Sequence, residues 1–263
     1  MIARIYAAYV VEITKMTRLK FTYAGPALAA LSVFGALFTH PIQRDGASDY
    51  AFIAYATSMA LNLIGLILVL MFCAALVSSE LGSGTIRMVL VRPLRRREFL
   101  AAKLLAGITY AVTLSAVVAV TVWGVAYVFG DLTGVQYGGD LVYTDSAMRA
   151  TYFLAILLNL FPQIAAVAYA LMISTLTRST AAAIGVTVVA WLLLDTVKYP
   201  LHIAPFVFST YMESSWQLFL DRCNALEGSW FPDLQYSILT SLVSTIVFFL
   251  VAVYALARRN LSA

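Results

Sequence analysis

The sequence predicts an all-α integral membrane protein with six transmembrane helices. Of its 263 residues, 62% are hydrophobic and only 11% are charged, whereas about 25% of the residues in soluble domains are charged. The chain also contains six uncharged intervals of 16 to 30 residues. A helix of about 20 apolar residues is long enough to cross the hydrocarbon core of a bilayer. Both observations exclude an ordinary soluble domain.

Each uncharged interval predicts one span of a single transmembrane domain that covers residues 21–263. The shortest interval, 179–194, has 16 residues. It reaches spanning length only if the helix continues through Asp195 to Val197, with Asp195 facing the bundle or the outer boundary. A carboxylate facing lipid at mid-bilayer would cost about 2.5 to 3.5 kcal/mol. The expected spans are 21–40, 52–79, 100–129, 150–176, 179–197 and 235–257.

An amphipathic helix is predicted before the first span, in residues 1–20. Apolar side chains such as Tyr9 and Ile13 share one helical face, and Glu12 and Lys15 fall on another, which is typical of a helix lying in the membrane interface. A signal peptide is the competing interpretation, because a basic start precedes an apolar run. The internal Glu12 and the lack of a clear small-residue cleavage site disfavour it.

The distribution of basic residues predicts the orientation. With a cytosolic N-terminus, 13 of the 17 basic residues lie on the inner side, as the positive-inside rule requires of short loops. The remaining four, Arg44, Arg149, Lys198 and Arg222, face outward. Because six spans return the chain to its starting side, both termini are expected in the cytosol. The net charge of +4 is spread over span ends, so nucleic-acid binding is not expected.

The segment between the second and third spans, residues 80–103, is the most informative of the chain. Gly82 to Gly84 are expected to break the second span, Thr85 to cap a new short helix, and Pro93 to stop it. An apolar run, residues 88–91, lies between arginines in this loop and needs a cover, either a groove on a partner protein or the membrane surface. The alternative is an ordinary cytosolic loop whose arginines only set topology.

The order of residues in this loop carries a family resemblance. An acidic residue closes the second span and is followed by a Gly-Thr pair, an apolar residue, a proline, a basic residue and a lysine. These residues are Glu80, Gly84, Thr85, Leu90, Pro93, Arg96 or Arg97, and Lys103. This order resembles the cytosolic signature of type 2 ATP-binding-cassette (ABC) transporter permeases, and the match in number of spans extends the resemblance to the whole chain.

The resemblance implies that the short helix is a coupling helix that docks into a cleft on a separate ABC ATPase subunit. The residues expected to couple to the ATPase are Glu80, Gly84, Thr85, Arg87, Met88, Leu90, Arg92, Pro93, Arg96 and Lys103. It further implies two ATPase copies, a second or homologous permease copy, and a location in the plasma (inner) membrane. ATP and Mg would be bound by the ATPase, and residues 1–20 would form an elbow helix.

The outward segment 198–233 interleaves aromatic residues with three prolines, which suits broken helices at the headgroup level. It is similar to the pair of short re-entrant helices that type 2 permeases carry between the fifth and sixth spans. An interfacial aromatic belt without a gating role is the alternative.

No catalytic motif is present in the sequence. There is no Gly-x-x-x-x-Gly-Lys-Ser/Thr phosphate loop and no His-Glu-x-x-His zinc motif, so the chain itself is not expected to be an enzyme or to hold a cofactor. The two cysteines, Cys73 and Cys223, are expected at different levels of the membrane, which disfavours a disulfide.

Three amide side chains lie within the expected spans: Asn62, Asn159 and Gln163. They are expected to bond neighbouring helices, at about 0.6 kcal/mol each, or to line a substrate path. No ionisable residue lies in the middle of a span, which argues against a proton- or sodium-coupled carrier.

The function expected from these features is that of the permease subunit of an ATP-driven ABC exporter. The alternative is a non-transporting membrane anchor or mechanical relay of an envelope complex that an ABC ATPase drives.

Overall fold

The computed structural model describes residues 2–42, 49–84, 94–138, 140–227 and 229–259. Six of its helices are long and apolar enough to cross a membrane. The predicted all-α class and the predicted number of long apolar helices are therefore confirmed. This architecture is typical of a multi-pass membrane protein.

The chain folds into eight helices and one small hairpin within the described ranges. The elements are α1 (Ile2–Arg18), α2 (Lys20–Thr39), α3 (Tyr50–Gly82), α4 (Arg96–Phe129), β1 (Val135–Tyr137), β2 (Asp140–Tyr143), α5 (Asp145–Leu176), α6 (Thr180–Val197), α7 (Tyr211–Cys223) and α8 (Asp233–Arg258), with 3₁₀ turns at Ala204–Phe206 and Phe208–Thr210. All but α1 and α7 are long enough to span a bilayer.

Side-chain caps define where two of the long helices begin. The hydroxyl of Thr144 accepts a hydrogen bond from the backbone N–H of Ala147 at the start of α5 (3.3 Å), and Ser179 accepts one from Ala182 at the start of α6 (3.5 Å). Such caps satisfy backbone donors that have no partner inside the helix. Helix α5 continues through Pro162 to Leu176.

The middle of α3 is π-helical over Met59–Gly65. A Cβ atom at Gly65 would lie 2.7 Å from the backbone oxygen of Ala60 and 3.0 Å from a methyl group of Leu114. Glycine is therefore needed there for α3 to keep this shape. π-helical turns are rare and occur frequently at functional sites.

The polar segment after α4, too short for a domain, contains an antiparallel hairpin in which Gln136 faces Leu141. The sequence did not predict it, because strands of three and four residues are too short to show an alternating pattern. The hairpin and α7 lie at one end of the bundle, named the hairpin end; Tyr143 donates a hydrogen bond to the carbonyl of Leu226 there (3.4 Å).

Residues 83–84, 94–95 and the last turn of α8 lie at the opposite end, named the loop end. A small apolar core there includes Val77 of α3, Leu100 of α4 and Leu256 of α8. A larger core of buried side chains, to which α3 and α4 also contribute, fills the remaining interior.

Helix α8 packs along one side of the bundle and leaves an apolar face uncovered. Leu239, Ile246, Leu250 and Tyr254 are each more than half exposed. Apolar faces of this extent on a soluble chain would cause association, whereas hydrocarbon would cover them in a bilayer.

Candidate functional site

Helix α3 ends at Gly82, the first of the residues expected to break it. Gly84 follows with a φ of +71°, and its N–H lies 3.4 Å from the carbonyl oxygen of Leu81. This left-handed conformation is costly for residues other than glycine. In this conformation Gly84 cannot continue the α-helix.

The predicted coupling helix lies outside the described residues. This applies to Thr85, Arg87, Met88, Leu90, Arg92 and Pro93. Their docking role stays a prediction. Glu80, Gly84, Arg96 and Lys103, which flank them, lie in the described part of the chain.

Glu80 and Lys103 meet in a group of four charges, named the charged cluster, with Glu12 and Lys15. The ammonium of Lys103 lies 3.0 Å from Oε2 of Glu12 and 3.0 Å from Oε1 of Glu80. The ammonium of Lys15 lies 2.7 Å from Oε1 of Glu12 and 2.8 Å from Oε1 of Glu80, the oxygen that Lys103 also contacts. The cluster ties α1, the end of α3 and the first turns of α4 together.

Burial makes this pairing obligatory. The side chain of Lys103 is 1% exposed, that of Glu12 8% and that of Glu80 13%, whereas Lys15 is 43% exposed. Two positive and two negative charges balance within the cluster. Removing one partner of a buried pair leaves an uncompensated charge in a medium that solvates it poorly.

The contacts of the charged cluster change the pKa of Glu12 and of Lys15, its two members in α1. Burial alone would raise the pKa of the Glu12 carboxyl, but the charge of Lys103 and hydrogen bonds from Lys15 and Lys103 outweigh it and lower that pKa. Burial alone would lower the pKa of Lys15, but hydrogen bonds to Glu12 and Glu80 raise it. Both groups are therefore held in their charged forms.

One oxygen of the cluster has spare hydrogen-bonding capacity. Oε2 of Glu80 is buried and has no hydrogen-bond partner among the described residues. It lies in the last turn of α3, one turn before Gly84. A carboxylate oxygen normally accepts hydrogen bonds when it is buried. The described part of the chain holds no group of three or more metal-ligating side chains at this place or elsewhere.

Arg96, expected to contact an ATPase, binds the end of α8. Its Nη1 donates to the backbone oxygens of Leu256 and Ala257, each at 2.7 Å. Arg259 caps α5 in the same way, with hydrogen bonds of 2.6 Å to Thr175 and 3.1 Å to Thr177. The last carbonyls of a helix lack intrahelical donors and carry partial negative charge, so both guanidinium groups stabilise helix ends.

The three amides predicted within the spans form a continuous chain of hydrogen bonds, named the amide chain, that ends at Ser115. Asn159 donates to Oδ1 of Asn62 (3.1 Å), Gln163 donates to Oδ1 of Asn159 (2.7 Å), and Ser115 donates to Oε1 of Gln163 (3.3 Å). Asn62 and Asn159 both donate to the backbone oxygen of Met212 in α7, at 3.1 and 2.9 Å. The chain thus joins α3, α4, α5 and α7.

Sequence reasoning missed two sets of contacts. Glu12 and Lys15 were assigned to the polar face of α1, and their i, i+3 spacing signals only that they pair with each other. The hydroxyl of Ser174 accepts from the N–H groups of Val77 and Ser78 (3.1 and 2.9 Å) and donates to the carbonyl of Ala74 (2.5 Å). A single serine in an apolar segment gives no signal of such a bridge between α5 and α3.

Comparison with known proteins places the chain in a family. No curated protein matches the chain. The family model described as "Protein of unknown function (DUF2705)" matches residues 16–262, which include α2 to α8. The chain belongs to the DUF2705 family.

Proposed function

We propose that the chain is the membrane-embedded permease subunit of an ATP-driven ABC transporter, working as an exporter. It has six spans in one transmembrane domain, which lies in the plasma (inner) membrane. Both termini lie in the cytosol. Two copies, or one copy and a homologous permease, pair and dock two ATPase subunits. ATP and Mg bind to those subunits, and this chain hydrolyses nothing.

The charged cluster is the observation that carries the proposal. The loop around residues 85–93 has Glu80 on one flank and Lys103 on the other. These two residues pair with each other, and in α1 Lys103 pairs with Glu12 and Glu80 with Lys15. A force applied to such a loop passes to α3, α4 and α1 together, because the cluster allows none of them to move without breaking a buried ion pair. A coupling helix at residues 85–92 needs this kind of attachment.

Arg96 supports the same proposal from the other side of the loop. Its guanidinium links the first turn of α4 to the last turn of α8. Movement of the docked loop would thereby reach the sixth span as well.

At the hairpin end, the 3₁₀ turns and α7 take the place of re-entrant helices that cap the exit. Helix α7 is tied to the spans through the carbonyl of Met212.

A non-transporting relay for an ABC ATPase is the second candidate, and the closed amide chain favours it. Asn62, Asn159 and Gln163 bond one another rather than projecting free groups into a path. A relay would use the same loop and the same cluster, but no substrate would cross the bundle.

The test is purification of the full chain from its native membrane with the ATPase retained, followed by ATPase assays across candidate substrates. Leu90→Asp and Arg92→Glu are expected to abolish the stimulation of ATPase activity without lowering the thermal stability of the spans. Leu226→Asp, the same change at an exposed leucine of the hairpin end, is the matched control and should keep full stimulation.

Normal stimulation in both loop variants, or repeated purification without any ATPase, would overturn the proposal. Substrate flux in vesicles reconstituted with both subunits separates the two candidates, since only the exporter moves substrate when ATP is hydrolysed.

A further inference from the structure

A groove with a volume of about 550 Å³ runs between α4 and α5 on the outside of the bundle. Two buried side chains, Ser115 of α4 and Tyr152 of α5, line it, and so do the exposed side chains of Val120 and Phe153. Most of its lining residues are aliphatic, and all except Arg149 are uncharged. Because exposed apolar side chains border the groove, it opens towards the hydrocarbon of a bilayer.

The groove occupies only the half of α4 and α5 that is nearest to the hairpin end. It extends from Val112, near the middle of α4, and Leu160, near the middle of α5, to Arg149, close to the start of α5. The rise from residue 149 to residue 160, eleven steps of about 1.5 Å, is about 16 Å. One leaflet contributes about half of the ~30 Å hydrocarbon core. The groove therefore has the length of one leaflet, whereas a spanning helix from a second copy would cross both.

Arg149 also lines a second cavity, of about 190 Å³, at the hairpin end. The rest of this lining comes from the last turn of α4, the segment that follows it and the first residue of α5. Its polar side chains include Tyr127, Asp131 and Thr133. Arg149 thus marks the boundary between an apolar groove and a polar pocket. An occupant with an apolar chain and a polar head fits the two together.

Arg149 is held in place but keeps unused hydrogen-bond donors. Its Nη2 donates to Oδ2 of Asp145, whose other carboxylate oxygen accepts a hydrogen bond from the hydroxyl of Tyr50. No other hydrogen bond or ion pair joins the Arg149 side chain to a described residue, and this side chain is 58% exposed. A guanidinium has five N–H donors, and its planar fork matches the oxygens of a phosphate group.

We propose that the groove holds one acyl chain of a zwitterionic phospholipid from the leaflet at the hairpin end, with the lipid phosphate bound to Arg149. Asp145 positions the guanidinium, and the polar pocket takes the rest of the headgroup. Asp131 and Asp145 already outnumber Arg149 in that pocket, so a headgroup that carries an ammonium beside its phosphate matches the charges better than an anionic one. The site does not depend on an ATPase partner.

The test titrates the full chain, in detergent micelles, with phosphatidylcholine whose acyl chains carry bromine, while tryptophan fluorescence is recorded. Bromine quenches an indole that it contacts, and Trp123 lines the groove. Quenching is expected to saturate as the mole fraction of lipid rises, and Trp123→Phe should lose the saturating part.

A variant that fills the groove tests its location. Ala116 is an exposed lining residue, and Ala116→Phe should weaken the apparent affinity for the lipid about tenfold or more, because the ring takes the place of the acyl chain. Ala27→Phe, at an exposed alanine of α2 outside the groove, is the matched control and should bind like the wild type. Both variants should keep the wild-type Tm, since both alanines are exposed.

Diacylglycerol with the same brominated chains tests the role of the phosphate. The wild type should bind phosphatidylcholine about fivefold or more tightly than diacylglycerol, because Arg149 adds charge-assisted hydrogen bonds to the phosphate. Arg149→Gln should reduce the binding of phosphatidylcholine to the level of diacylglycerol and leave the binding of diacylglycerol unchanged. A general loss of structure would weaken both. Brominated phosphatidylglycerol should bind the wild type more weakly than phosphatidylcholine does.

The proposal would be overturned by equal affinity of the wild type and Arg149→Gln for phosphatidylcholine, by unchanged binding in Ala116→Phe, or by full saturable quenching in Trp123→Phe. Phosphatidylglycerol that binds as tightly as phosphatidylcholine would also contradict it. Light scattering measures the fraction of dimers in the same samples. Fewer dimers in Ala116→Phe than in Ala27→Phe, with lipid binding unchanged, would assign the groove to a second copy of the chain instead.

Discussion

The charged cluster and the amide chain both join helices through buried polar groups, but they do so with different chemistry at different places. The cluster uses full charges at the loop end, where Lys15 is 43% exposed. The amide chain uses neutral groups inside the bundle, where Asn159 and Gln163 are each 1% exposed. Full charges are therefore found at the end of the bundle, and neutral dipoles lie deeper inside it.

The two regions are expected to respond differently when their polar contacts are removed. A buried charge that loses its partner is strongly destabilising, so the cluster holds α1, α3 and α4 in one arrangement. Amide hydrogen bonds between membrane helices contribute about 0.6 kcal/mol each on average, so the amide chain can rearrange at a small cost. The loop end is expected to move as a unit, and the interior to adapt to it.

The largest effect is expected from Lys103→Met. The variant leaves Glu12 and Glu80 with only the half-exposed Lys15, and the free energy of unfolding should fall by about 3 to 5 kcal/mol. Unfolding in mixed micelles on addition of SDS measures this value. Lys20→Met, at an exposed lysine at the start of α2, should leave it unchanged.

The same experiment separates charge imbalance from lost packing. Adding Glu12→Gln and Glu80→Gln to Lys103→Met removes the stranded charges, and most of the lost stability should return, because a neutral buried group needs no counter-ion. A triple variant as unstable as Lys103→Met would contradict the electrostatic account of the cluster.

A smaller effect is expected from Asn159→Leu in the amide chain. The substitution removes the hydrogen bonds to Asn62 and Met212 and leaves the amide N–H of Gln163 unpaired. The free energy of unfolding should fall by about 1 to 2 kcal/mol. Thr121→Val serves as the control, since the hydroxyl of Thr121 bonds only its own helix. A loss as large as that of Lys103→Met would mean that the two regions do not differ as described.

The smallest effect on the free energy of unfolding is expected from lowering the pH. Because the pKa of Glu12 is lowered in the folded protein, its contribution to stability is present above the usual glutamate value of about 4.3 and is lost as the pH falls through the folded pKa. The difference in unfolding free energy between the wild type and Glu12→Gln should therefore shrink as the pH drops below about 4.3. A difference that stays constant down to the acid limit of the folded state would contradict this assignment.

Part of the candidate site was predictable and part was not. Glu80 and Lys103 were singled out because they belong to the order of loop residues that resembles the signature of type 2 ABC permeases, and such an order is local to one segment. Their pairing with Glu12 and Lys15 was not predicted, since Lys103 is 91 residues from Glu12 in the chain. Arg96 was expected to face a partner, and its bond to the end of α8 depends on a helix 160 residues away.

What the sequence determined by itself is the fold class and the number of long apolar helices. Hydrophobicity and the spacing of charges are local properties, and the bilayer sets the length that each uncharged interval must reach. What only the tertiary structure decided is which polar groups meet: Glu12 with Lys103, Asn62 with Asn159, Arg96 with the carbonyl of Leu256. These contacts depend on how each helix is rotated and packed against its neighbours, and no period within a single helix encodes that rotation.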